Sequence, residues 1–97
     1  EDAATVATKI QKDAISGIST QLAVKRDHLL TLEDEVEAKK ESLTVARTNA
    51  GKPITERKNY VATLMQAKRN LLVAEKALVL HKKEIEFLED ELFIVSN

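Results

Sequence analysis

His28 and His81 are the two residues of this 97-residue chain best suited to acid–base or metal chemistry. A shared metal needs both imidazoles on one face and within a few ångströms of each other. The helical register deduced below separates them by about six residues, roughly 9 Å along the axis, on different heptad positions. His81 is followed three residues later by Glu84, the reverse of the Glu-x-x-His order that di-iron bundles use. No cysteine is present, which removes thiolate ligands, thiol nucleophiles and disulfides, and selects no compartment. Gly51-Lys52 lacks both the upstream glycine and the following Ser/Thr of a phosphate-binding loop. No serine or threonine falls into a His/Asp constellation, and the many carboxylates are accounted for as solvated helix positions. The expectation is a chain with no catalytic residue, no cofactor and no metal, and so not an enzyme.

The elements that must carry these residues are read from composition. Ala, Glu, Lys, Leu and Arg supply 50 of the 97 residues, and only two Gly, one Pro and three aromatics interrupt them. That mixture, repeated periodically, belongs to coiled coils and long helices rather than turn-rich β structure. The one dense run of punctuation is Thr48-Asn49-Ala50-Gly51-Lys52-Pro53. Glycine ends a helix by reaching positive φ, and proline is tolerated in the first turn of the next helix. A helix over about 3–48, a turn at about 49–53 and a helix over about 54–95 follow, in one domain spanning 1–97. Gly17 is the one glycine inside a helical stretch and costs about 1 kcal/mol against alanine.

Heptads fill both helices. In the first, Ile15, Leu22, Leu29, Val36 and Leu43 take position a, and Ile18, Lys25, Leu32, Lys39 and Ala46 take d. In the second, Leu64, Leu71, Leu78, Ile85 and Leu92 take a, and Tyr60, Ala67, Ala74, His81, Leu88 and Val95 take d. Runs of this length predict a coiled coil, and a short connection makes it an antiparallel hairpin. Folding about the turn sets Leu43 on Tyr60, Val36 on Ala67, Leu32 on Leu71, Ile18 on Ile85 and Ile15 on Leu88. The e positions favour this register by facing Lys12 with Glu89, Arg26 with Glu75 and Glu33 with Lys68. A slide of one heptad would set Glu33 on Glu75 and Arg26 on Lys82. Lys25 and Lys39, expected to face Leu78 and Leu64, should lay their methylenes over the seam with their ammonium groups in water. Thr8 and Gln11 would meet Val95 and Leu92, a poor match that predicts fraying at the open end.

A two-helix hairpin needs only its a/d stripe covered, and this chain has a second one. Position c reads Val73, Leu80, Phe87 and Ile94 in the second helix, and Ile10, Val24, Ala38 and Val45 at the same position of the first. The neighbouring g positions are mostly small or neutral, whereas e and f collect the charges. A repeated apolar stripe of this kind marks an interface. The simplest assembly is a homodimer in which two hairpins form a four-helix bundle. Residues 39–69 hold eight basic and two acidic groups, net +6, and the rest holds seven basic and fourteen acidic, net −7. An antiparallel dimer sets unlike charge beside unlike and is favoured over a parallel one. The same basic end, with Arg47, Lys52, Arg57 and Lys58, suits a docking tip for an acidic partner. Nucleic acid is disfavoured there, because Tyr60 is the sole nearby aromatic and belongs to the core. No apolar run approaches the ~18 residues of a membrane span. The chain opens on Glu1-Asp2 rather than Met, which suggests a processed product or an arm excised from a larger protein.

Overall fold

The computed structural model of the chain describes residues 2–51 and 58–97, the side chains of Lys58 and Asn59 excepted. Two helices, α1 (Ala3–Ala50) and α2 (Lys58–Ser96), pack against each other as a hairpin, with no strand among the described residues. Asp2 caps α1: its Oδ1 accepts the backbone N–H of Thr5 at 2.8 Å, occupying one of the donors a helix start leaves unpaired. That bond holds the Asp2 carboxyl below the ordinary carboxylate range. At the far end, α1 runs through Thr48, Asn49 and Ala50, two residues past the expected stop. Gly51 closes it by donating its N–H to the carbonyls of both Arg47 and Thr48, each at 3.2 Å. No glycine has positive φ, so Gly51 ends the helix with a tightened last turn and not with the left-handed cap expected of it. The residues of the expected turn from Lys52 to Pro53 lie outside the described residues.

Burial follows the heptads closely. Every a and d position of α1 from Ile15 to Ala46, and of α2 from Tyr60 to Val95, is buried or half-buried. The b, c, e and f positions are exposed among the described side chains. Gly17 sits at one of them, and a methyl group added there would meet nothing within 4 Å. Its small size is therefore not demanded by packing.

The chain divides into two compact units. One joins Glu1–Leu29 to His81–Asn97, and the other is Leu30–Leu80. In the first unit Leu22, Ile85 and Leu88 form the buried cluster, with Ile18, Leu29 and Leu92 packed against it. Leu22 is only 1% exposed. Gln11 donates from Nε2 to the Val95 carbonyl at 2.6 Å, filling one of the acceptors left open at the end of α2. The open end is thus tied by a polar contact where the apolar match is poor, and Gln11 meets Val95 rather than Leu92.

In the second unit Leu43, Ala46 and Ala67 form the buried cluster, with Leu64 and Leu71 packed against it. Val36 is also buried, and Tyr60 is half-buried as expected. Both clusters correct the register. Leu43 was expected on Tyr60 and instead shares a cluster with Ala67, seven residues further along α2. Leu88 was expected on Ile15 and instead shares a cluster with Leu22, seven residues further along α1. A slide of one heptad leaves every a and d residue in the seam, so seam burial is nearly equal in either register. The e-position charge pairs that favoured the other alignment are exposed and worth only ~0.2–1 kcal/mol each.

Candidate interaction surface

The first unit contains a polar group that only the observed register assembles. Lys25, at a d position, extends its Nζ to Glu84 Oε2 at 2.6 Å, with both side chains about two-fifths exposed (37% and 43%). The ammonium group thus reaches the edge of the seam, as expected of a lysine with a buried stem, but its neighbour is Glu84 and not Leu78. This hydrogen bond and the positive charge of Lys25 hold the Glu84 carboxyl below its ordinary value of 4.5. One turn away His81 is buried, at 6% exposure, and its Nε2 lies 2.7 Å from the Lys25 backbone carbonyl. A carbonyl only accepts, so Nε2 carries the proton and donates it. His28 packs edge-to-face on His81, with ring centroids 5.0 Å apart.

The expected separation of the histidines is therefore corrected: the heptad slide that joins Lys25 to Glu84 also closes the gap between the rings. The spacing that could have revealed this lies in the g positions, since His28 and Glu84 both occupy g beside d residues of the opposite helix. The Nε2 of His81 bonds a backbone carbonyl within the seam, and the exposed His28 ring packs on it from the g edge. Among the described residues no three His, Cys, Asp or Glu side chains converge as a closed metal site would require.

The second apolar stripe is exposed. On α2, Val73 (67%), Leu80 (59%), Phe87 (63%) and Ile94 (72%) all stand more than half in solvent. On α1, Ile10, Val24 and Val45 are exposed to a similar degree, and Ala38 is exposed as well. The reason is geometric: position c lies on the far side of g from the a/d seam, so burying a and d leaves c outward. The b positions widen the face, Leu72, Val79 and Phe93 as the heptads predict and Met65 in addition. Met65, Leu72, Val79 and Phe93 are exposed there, so α2 carries apolar side chains on both flanks of its charged f residues.

The g edge is not smooth. In the first unit, Gln21, Lys25, Lys83, Glu84, Phe87 and Leu88 line a concavity of about 360 Å³. In the second unit, Glu35, Lys39, Asn70, Val73, Ala74 and Ala77 line one of about 280 Å³. Small or short residues at g and d, notably Ala74 and Ala77, create the hollow, and a neighbouring c residue forms its rim in each case. Both are open, shallow features of the surface.

Of the basic residues assigned to the tip, Arg47 is exposed in the last turn of α1. Lys52 and Arg57 lie outside the described residues, and Lys58 begins α2 with its side chain undescribed. No described helix is long and apolar enough to cross a membrane. No family model, curated protein or solved structure matches the chain.

Proposed function

We propose that the chain is a non-enzymatic structural module that self-associates through helix–helix contacts on its c/g side. The observation that carries this reading is the unbroken exposure of Val73, Leu80, Phe87 and Ile94 at seven-residue intervals along α2. Full burial of such a side chain is worth ~1.5–3 kcal/mol, so four on one stripe give a strong drive to pair. The product is a homodimer in which two hairpins form a four-helix bundle. The net +6 of residues 39–69 against the net −7 of the remainder favours antiparallel partners.

Light scattering tests this directly, with Leu80→Glu and Phe87→Glu compared against the unaltered chain. The unaltered chain should have about twice the 10.8 kDa of a single copy. Each variant should return to a single copy while keeping its helical circular dichroism. A mass that does not respond to either charge would overturn the c stripe as the contact.

A further inference from the structure

We infer that His28 and His81 form an exchangeable binding site for a divalent transition-metal ion of the zinc class, held by one imidazole from each helix. Self-association plays no part in it, since both residues belong to one chain. A shared ion needs two imidazoles within a few ångströms of each other, and the observed register meets that condition. The ring centroids are 5.0 Å apart and the ring planes stand at 82°. With metal–nitrogen distances of about 2.0–2.1 Å, two imidazoles on one tetrahedral ion put their centroids about 5 Å apart. The pair thus already has the spacing of two ligands.

His81 is prepared by its bond to the backbone. Its Nε2 donates to the Lys25 carbonyl at 2.7 Å, so the neutral ring carries its lone pair on Nδ1. Among the described residues Nδ1 has no hydrogen-bond partner. Metal-ligating histidines are almost always held in this way, with the second ring nitrogen donating to a carbonyl, a carboxylate or water. At 6% exposure His81 is fixed in the seam, whereas His28 is exposed on the g edge and free to turn about its side-chain bonds toward an ion.

The surroundings accept a cation. From α1, Lys25 brings an ammonium group, and from α2, Glu84 brings a carboxylate that bonds it at 2.6 Å. These charges cancel, so a divalent ion meets no net positive charge beside the pair. Nitrogen ligands then select the ion: imidazole suits zinc, copper and nickel, whereas magnesium and calcium take oxygen. The third protein ligand of a closed site is absent among the described residues. Water therefore completes the coordination, and the ion exchanges with solvent.

Calorimetric titration of the untagged chain with zinc chloride at neutral pH reads this site. One zinc ion should bind per chain, and magnesium chloride should give no binding heat. The two ligands come from different helices, so the ion binds only the folded hairpin. Its melting midpoint should therefore rise with zinc concentration. Acidification should release the ion, because a ligating imidazole must be unprotonated. His28→Gln alters an exposed side chain, so it should keep its helical circular dichroism while losing both the zinc heat and the melting shift. An unaltered chain that binds no zinc would overturn the site. So would zinc binding that survives His28→Gln with its stoichiometry and melting shift intact, which would put the ion on surface carboxylates instead.

Discussion

The two units of the hairpin share one repeat and fill it differently. In the unit that joins Glu1–Leu29 to His81–Asn97, the buried cluster is made of Leu22, Ile85 and Leu88, with a buried histidine and a lysine–glutamate pair beside it. In the unit Leu30–Leu80, the cluster is Leu43 with two alanines, Ala46 and Ala67. Branched aliphatic side chains fill space and resist sliding through their shape. Alanine leaves no bulk between backbones, so that cluster depends on close approach of the helices. The first arrangement is vulnerable to losing volume and the second to gaining it.

The largest effect should come from emptying the aliphatic cluster. Leu22→Ala removes the most deeply buried side chain and should cost about 2–5 kcal/mol. Denaturant titration gives the total, and hydrogen exchange locates it. Protection should fall first over Ile15–Leu29 and His81–Leu92. An equal loss throughout Leu30–Leu80 would mean that the units do not differ in the way their cores suggest.

A smaller effect should come from overfilling the alanine cluster. Ala67→Leu adds bulk where Leu43 and Ala46 already meet α2, and should destabilise by about 1–3 kcal/mol. Gained stability in the same titration would show that the helices stand far enough apart to accept the side chain. The contrast between volume-limited and approach-limited packing would then fail.

The smallest effect concerns the Lys25–Glu84 pair. The Glu84 carboxyl is held below 4.5 by the Lys25 hydrogen bond and charge. A carboxyl depressed on folding adds stability that is complete above its unfolded value and is lost as pH falls through its folded value. The stability difference between the unaltered chain and Glu84→Gln should therefore be present near neutral pH and vanish well below pH 4.5. Thermal melts of both chains across that range give the difference. One that persists in acid would assign the contribution of Glu84 to packing instead of charge.

Much of this fold was legible in the sequence, because heptad periodicity and burial are two expressions of the same geometry. The a and d residues from Ile15 to Ala46 and from Tyr60 to Val95 line the seam as read. The exposure of Val73, Leu80, Phe87 and Ile94 follows from the same repeat. The polar contacts around Lys25 and His81 were not legible, because they depend on which turn of α1 lies beside which turn of α2. Pairing charges at e positions pointed to the wrong alignment, since exposed pairs of that kind differ in energy by less than the uncertainty of a loop.

The sequence by itself determined two long helices, the residues that face each other along them, and the apolar stripe left outside. Tertiary structure alone decided the register. A seven-residue repeat is unchanged by a seven-residue slide, so hydrophobic burial scores both alignments alike. The choice falls to contacts that break the repeat. These are the Lys25–Glu84 ion pair, the His81 bond to the Lys25 carbonyl, and the His28 ring packed on His81.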